Sequence, residues 1–441
     1  MRRNKDLSMT IYIHGGFNEF EKTVERAKNT YEKILFEGQY PVFICWEAGF
    51  FTNYGDYLTA LRNGERKLSE PSEPLELFTM QNDERKPSEP LESPEPLESL
   101  KDSLGAIIST PFVFAEDVLR SAVRIPASNW DMLTKQNQVA IKLFGEEKLM
   151  DGIEERIEQE QEFKVYNKGS STGHGFWDFS TIWNPVKLIT APLADGFGKG
   201  AWRSLLRRTD LVLNSQAGFE GKGRKDSETA LHYFLSKLEK LDRERKYPPV
   251  KKVLIGHSMG TIIANNILSR FPDIDFDTVV YMAAACKLKD LEKSVVPWLR
   301  RNENGEFYNL TLDPYRDINE NGWFDFIPRG SLLVWIDGFL EDVNSFEDRT
   351  AGYWFNIVRG ADIIFPPDKD LRSRVHLTKF GIDLEEKSVP QTHGAFDDYN
   401  FWCKSFWENN EEDIISIIDP EGESVPHTCD AFDDYDFILN P

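Results

Sequence analysis

A strand-like apolar run, a Gly-x-Ser-x-Gly pentapeptide and a helical pattern follow one another without a gap between Val253 and Leu268. This succession predicts a sharp turn from a buried strand into a helix, with the hydroxyl of Ser258 raised above the end of a sheet. Gly256 and Gly260 fit the turn because it is strained and its neighbours leave no room for a side chain. The pattern therefore constrains the fold to a sheet with helices packed on it.

A second pentapeptide, residues 169–173, also matches Gly-x-Ser-x-Gly but lacks the same context. The residues after it do not resemble the start of a helix, so Ser171 is predicted to lie in a loop. The chain has 29 glycines, so chance matches are expected. The strand before Ser258 and the helix after it are what distinguish the first pentapeptide from the second.

Length and charge restrict the class of protein. A chain of 441 residues holds either two or three average domains or one large α/β domain with insertions. Its net charge of −22 makes nucleic acid an unfavourable partner. The chain has no apolar stretch long enough for a transmembrane helix, no signal-peptide pattern, and four cysteines without metal-site spacing. We therefore expect a soluble, cytoplasmic protein that needs no cofactor or metal.

Six strand-like segments, one of them leading to Ser258, alternate with helical patterns. This alternation favours an α/β fold with a mostly parallel sheet flanked by helices, and the continuous apolar runs fit strands that are covered on both faces. The other five segments lie near residues 9–13, 40–46, 278–282, 307–312 and 375–380. Amphipathic helices are expected near residues 24–35 and 226–241.

Composition divides the chain into five segments. Residues 1–55 and 226–402 are expected to form the two parts of one core. Residues 64–104 are rich in Ser, Glu and Pro, which predicts a mobile insertion, and residues 105–225 are expected to form a helical cap or lid. Residues 403–441 form an acidic tail. The large insertion therefore precedes the strand that leads to Ser258.

Two of these segments allow more than one interpretation. The aromatic stretch 176–213 fits a lid over an apolar pocket, an ordinary packed subdomain or a patch that touches lipid headgroups. The tail contains a near-copy of residues 388–402, in which Cys429 stands where His393 stands in the original. The copy is either a duplicated end without a catalytic role or an acidic surface that docks onto a partner.

A serine hydroxyl needs an adjacent base to act as a nucleophile, and chain order places that base after the serine. Three histidines follow Ser258. His376 lies inside a strand pattern and is predicted to be structural, and His427 is out of register in the tail copy. His393 lies just past the last strand, in a loop that contains a glycine. His393 is therefore the predicted base.

The base in turn needs a carboxylate that orients it, and position along the chain is the only guide to that residue. Asp313 directly follows the strand near residues 307–312 and is the first candidate. Asp317 is close enough to be the alternative. Asp337 and Asp362 are more distant candidates.

An oxyanion would need two preorganised backbone N–H groups. One is expected from Met259, the residue after the serine, and the other from Gly16 or Phe17 in the turn after the first strand. That turn begins with His14 and Gly15, and His14 is expected to order the loop rather than take part in chemistry. An early His-Gly-Gly combined with the later pentapeptide is more specific than either motif alone.

Residues 317–325 resemble the start of a calcium-binding loop. The twelfth position, however, is Pro328 instead of the bidentate glutamate that such a loop needs. We therefore predict a polar turn without a metal.

Taken together, these motifs make the chain resemble the α/β-hydrolase superfamily on its lipase and esterase side. The resemblance rests on residues 14–16, 256–260 and 393–394, and it covers residues 9–55 and about 226–402. It implies a Ser-His-acid triad that hydrolyses a carboxylic ester through an acyl-enzyme. The chain departs from the superfamily in its long insertion and in the apparent lack of the first two strands of the full fold.

Two other functions fit the same motifs. One is a catalytically inactive interaction protein on a hydrolase scaffold, which would bind a protein partner through the acidic insertion or tail. The other is a lipase or phospholipase that touches a membrane peripherally and acts on lipid instead of a small ester.

Overall fold

The computed structural model describes residues 8–16, 20–36, 38–46, 48, 163–168, 201–214, 229–244, 250–320, 330–341, 343–380 and 390–398. Several predictions from the sequence lie outside these residues and concern Phe17, Ser171, the 64–104 insertion, most of the 105–225 segment, the calcium-like loop beyond Glu320 and the acidic tail.

The centre of the fold is a seven-stranded sheet in which every pair of neighbouring strands is parallel. The order across the sheet is β2-β1-β4-β5-β6-β7-β3. The strands are β1 (Ser8–Ile13), β2 (Gln39–Ile44), β3 (Lys164–Lys168), β4 (Lys251–His257), β5 (Thr278–Met282), β6 (Glu306–Leu312) and β7 (Val375–Phe380). The predicted mostly parallel α/β sheet is thus confirmed.

All six predicted strands are present, and β3 is an addition to them. It forms one edge of the sheet, next to β7, and lies inside the 105–225 segment that was expected to form a helical cap or lid. Its five residues, KVYNK, contain only one pair of adjacent strand-favouring residues. Pairing with β7 is a tertiary interaction, so the local sequence could not reveal this strand.

Helices connect and flank the strands. They are α1 (Phe20–Phe36), α2 (residues 201–211), α3 (Ala230–Glu244), α4 (Gly260–Arg270), α5 (Leu288–Arg301), α6 (Pro314–Asn319), α7 (Leu332–Trp335), α8 (Trp354–Ile364) and α9 (Lys369–Arg372). A π-helical turn, Ile336–Leu340, continues α7, and 3₁₀ turns cover Phe346–Asp348 and His393–Asp398. Among the described helices, none is both long enough and apolar enough to cross a membrane.

The apolar stripe that predicted α1 and the aromatic stretch that contains α2 are buried to different degrees. In α1 only Ile34 of the predicted stripe is fully buried, whereas Val24, Tyr31 and Leu35 are between 39% and 47% exposed. In α2, by contrast, Trp202 is buried and its indole N–H donates a 2.7 Å hydrogen bond to Glu341. The described end of the 176–213 stretch therefore packs as ordinary core.

The parallel ladders bring the carboxyl ends of the central strands to one edge of the sheet. Ile13 at the end of β1 lies opposite Gly256, and Gly256 lies opposite Tyr281 of β5. All five residues of β5 are buried. Segments that follow β1, β4, β6 and β7 consequently meet above the same edge, where ligand sites of open α/β sheets form.

Gly352 marks a close crossing of two chain segments at this edge. Its amide donates to the carbonyl of Ala284 at 2.8 Å, and a Cβ at Gly352 would lie 2.0 Å from the amide nitrogen of Ala284. Ala283 beside it has a φ of 44°, in the left-handed region that disfavours side chains. The backbone there has no room to move away.

Replacing Gly352 with alanine should therefore destabilise the protein by at least about 2 kcal/mol, because two packed backbones must separate. Gly338 is the matched control, since a Cβ there meets nothing within 4 Å. Gly338→Ala should change the free energy of unfolding by no more than about 1 kcal/mol. Denaturant unfolding of both variants measures the difference, and equal effects would contradict the crossing.

Candidate active site

Ser258 lies on a strained turn between β4 and α4. Its φ is 50°, and a left-handed backbone in a non-glycine residue costs on the order of 1–3 kcal/mol. Neighbouring groups hold this conformation, because the Ser258 amide donates to the carbonyl of Met282 at 2.8 Å and its carbonyl accepts from the amide of Ala285 at 3.1 Å. The hydroxyl of Thr261 donates to the same carbonyl at 2.7 Å.

The glycines of the pentapeptide are required by close packing. A Cβ at Gly260 would lie 2.3 Å from the carbonyl oxygen of Ile13. A Cβ at Gly256 would lie 3.0 Å from the Cα atom of Thr261. The end of β1 and the start of α4 are therefore in direct contact, which agrees with the crowding predicted from the sequence.

The predicted base and the predicted nucleophile are in hydrogen-bond contact. The Ser258 hydroxyl lies 2.8 Å from Nε2 of His393, although the two residues are 135 positions apart in the chain. Both residues are largely buried, with 2% and 7% of their surfaces exposed. A hydroxyl donating to an imidazole is the arrangement in which the ring can take the serine proton.

Two further side chains bind the backbone of His393. Its amide donates to Oε2 of Glu320 at 3.0 Å, and its carbonyl accepts from Nε2 of His257 at 3.0 Å. Neither residue was predicted from the sequence to have a role. His257 was visible only as the variable residue before Ser258, and Glu320 lay in a segment interpreted as a polar turn.

The predicted oxyanion donors belong to segments that adjoin Ser258. Met259 is the cap residue at the start of α4, so its amide precedes the hydrogen-bond ladder of the helix. Gly16 packs on the Met259 side chain, since a Cβ there would lie 2.4 Å from its sulfur. A Cβ at Gly15 would lie 3.0 Å from the Ser258 Cβ. Phe17 is outside the described residues, so Gly16 is the one of the two candidates for the second oxyanion N–H group whose position the structure describes.

His14 ties this loop to the segment after β2. Its ring stacks on Trp46 with 5.5 Å between ring centres, and its Nε2 accepts the Trp46 amide at 3.1 Å. Nε2 is therefore unprotonated, and Nδ1–H donates to the carbonyl of Gly15 at 2.7 Å. These contacts order the loop that carries Gly15 and Gly16.

Asp313 and Asp317, the two candidates for the orienting acid, have different surroundings. The amide of Asp313 donates to the carbonyl of Phe380 at 3.0 Å, which joins it to the end of β7. Asp317 is one turn further on, in α6, and is 1% exposed. Burial, reinforced by the negative charges of Glu320, Asp313 and Asp337, holds the pKa of Asp317 well above its ordinary value. These surroundings favour the uncharged form of Asp317, whereas an orienting carboxylate has to be charged.

The remaining candidates have other partners. Asp337 accepts hydrogen bonds from the amide of Thr350 at 2.8 Å and from the side chain of Asn356 at 2.6 Å, and burial raises its pKa to about 6. Asp362 forms an ion pair with Arg372 at 3.2 Å.

His376 lies away from Ser258. It stacks on Tyr308 with 4.0 Å between ring centres and is bonded to Glu306 at the start of β6, the opposite edge of the sheet from Ser258. Within the residues that the structure describes, no three His, Cys, Asp or Glu side chains are grouped to hold a metal ion.

The raised pKa of Asp317 predicts a pH-dependent stability difference. The folded state keeps a proton that the unfolded chain loses above an ordinary Asp pKa of about 4, so stability falls as pH rises from there towards the raised value. Asp317→Asn removes this loss. As pH rises, the free energy of unfolding of the variant should therefore exceed that of the native protein by up to about 1.4 kcal/mol more for each pH unit. Below pH of about 4 the advantage should vanish. Denaturant unfolding across pH measures it, and a difference independent of pH would contradict the burial of an uncharged carboxyl.

Comparison with known proteins does not assign this chain to a family. No family model, no curated protein and no solved structure matches it. Any role for these residues therefore rests on their own positions and contacts.

Proposed function

We propose that this protein is a serine hydrolase with an α/β-hydrolase fold, which cleaves a carboxylic ester through an acyl-enzyme. The observation that carries the proposal is the 2.8 Å contact between the Ser258 hydroxyl and Nε2 of His393, made by a serine on a strained strand-to-helix turn. The serine follows β4, Asp313 follows β6 and the histidine follows β7. This is the chain order that the superfamily uses.

The proposed reaction has two halves. The Ser258 oxygen attacks the ester carbonyl while His393 takes the hydroxyl proton, and the imidazolium then gives that proton to the departing alcohol. A water molecule attacks the resulting acyl-enzyme, with His393 again taking and returning a proton. Serine and imidazole are regenerated, and the products are an acid and an alcohol.

Backbone amides stabilise the negative charge that develops on the carbonyl oxygen. Met259 and Gly16 are the proposed donors, because they flank Ser258 and belong to a helix start and a rigid loop. Fixed donors are effective because they need no reorganisation during the reaction. The partial positive charge at the start of α4 acts in the same direction.

Asp313 is the proposed orienting acid. It follows β6 directly, and its backbone is bonded to Phe380, whose ring packs on Phe396 in the turn that carries His393. Asp317 is the weaker alternative, because its burial favours the uncharged form and only a charged carboxylate stabilises an imidazolium.

A small ester is preferred to a membrane lipid as the substrate class. The lipid alternative depended on the 176–213 stretch as a lid or a surface patch. The described part of that stretch is packed, with Trp202 and Leu205 buried. No contact among the described residues therefore favours a lipid over a small ester.

The first test is labelling by a fluorophosphonate probe, which reacts covalently with an activated serine. The native protein should be labelled, and Ser258→Ala should abolish labelling because the reacting oxygen is gone. Ser171→Ala is the matched control, since it alters the other Gly-x-Ser-x-Gly pentapeptide and should leave labelling intact. A folded native protein that resists the probe would instead support the non-catalytic interaction protein.

A second test separates the two candidate acids. Asp313→Asn should reduce kcat on a chromogenic small ester by on the order of 10⁴-fold, because the imidazole loses its charged partner. Asp317→Asn changes a group whose burial favours the uncharged form, so it should leave kcat nearly unchanged. The reverse pattern would make Asp317 the orienting acid.

A further inference from the structure

Both backbone polar groups of His393 are bonded to side chains from other parts of the fold. Glu320, just after α6, accepts the amide of His393 at 3.0 Å, and His257, the last residue of β4, donates to its carbonyl at 3.0 Å. One residue of the loop after β7 is thus held from two directions.

This double attachment matters because His393 has little regular structure to hold it. It opens a short 3₁₀ turn, His393–Asp398, and the first amides of such a turn have no partner within it. A carboxylate is also the favourable group at that end of a helical turn. Glu320 accepts the amide of His393 and so fixes the residue at which the turn begins. That residue carries the imidazole that contacts Ser258.

His257 connects three parts of the site. Its backbone is adjacent to Ser258, its Nε2 binds the carbonyl of His393, and its ring lies 6.4 Å from that of Phe396, measured between centres. A Cβ at Gly15 would lie 2.9 Å from Nδ1 of His257, so the ring also packs on the proposed oxyanion loop. The residue His257 is therefore in contact with the segments that carry the proposed nucleophile, the proposed base and the proposed oxyanion donors.

We infer that Glu320 and His257 are positioning residues that clamp the backbone of His393 and thereby hold its imidazole at reacting distance from Ser258. The inference rests on the proposed function. A displacement of about 1 Å in a reacting group can reduce a rate by about 10²-fold, so a clamp on the base is expected to act on the chemical step and not on binding.

The test uses two pairs of variants of the full chain. Glu320→Ala removes the acceptor, whereas Glu320→Gln keeps an oxygen that can accept the amide. His257→Phe keeps a ring but removes the donor, whereas His257→Gln places an amide N–H at the same number of bonds from Cβ. The measurements are the maximal rate of fluorophosphonate labelling, the probe concentration at half-maximal rate, and the fraction of folded protein by circular dichroism.

The clamp predicts a specific pattern. Glu320→Ala and His257→Phe should each lower the maximal labelling rate per folded molecule by on the order of 10- to 100-fold, with the half-maximal concentration unchanged. Glu320→Gln and His257→Gln should restore most of the rate. Glu306→Ala is the matched control, because it removes a carboxylate bonded to a different histidine, His376, at the far edge of the sheet. It should label at the native rate.

The outcomes separate the clamp from the function on which it rests. If the native protein labels through Ser258 but folded Glu320→Ala and His257→Phe label at the native rate, the clamp is wrong and the hydrolase proposal stands. If the losses follow only the folded fraction, the two residues are structural and the clamp is also wrong. If the native protein is not labelled at all, it is the proposed function that fails. Should Glu320→Ala not fold, the comparison of His257→Phe with His257→Gln decides.

Discussion

The left-handed backbone of Ser258 is the constraint on which the rest of the site depends. A serine adopts this conformation only where its surroundings outweigh the strain, and here the carbonyl of Met282, the amide of Ala285 and the hydroxyl of Thr261 do so. Those partners are in turn fixed by the pairing of β4 with β5 and by the packing of α4. The strained turn is therefore held by the sheet and by α4, and not by a surface loop.

A parallel sheet makes the rest of the arrangement possible. Because all strands run in one direction, the segments after β1, β4, β6 and β7 arrive at one edge, and each brings a different group. The close contacts of Gly260 with Ile13 and of Gly15 with His257 show how little space separates them. Side chains that lie far apart in sequence are brought together by backbones that nearly touch.

Much of this could be predicted from the sequence, and the exceptions have a common cause. Six strands, the glycine requirement and the pairing of Ser258 with His393 followed from local pattern and chain order. The sequence could not reveal β3, whose formation depends on pairing with β7, or the contacts of Glu320 and His257 with the His393 backbone. Contacts from a side chain to a distant main chain leave no periodicity or motif, since any residue type can supply the backbone partner. The burial of Asp317 likewise depends on the tertiary structure, and composition does not reveal it.

The distance in sequence between the two partners has a consequence for synthesis. Ser258 and His393 are 135 positions apart, so a chain that emerges from its amino end completes β4 and the strained turn well before the imidazole exists. Until β7 and the loop that carries His393 have been synthesised, the Ser258 hydroxyl lacks its imidazole partner. The contact on which the proposed chemistry depends can therefore form only after residue 393 has been synthesised.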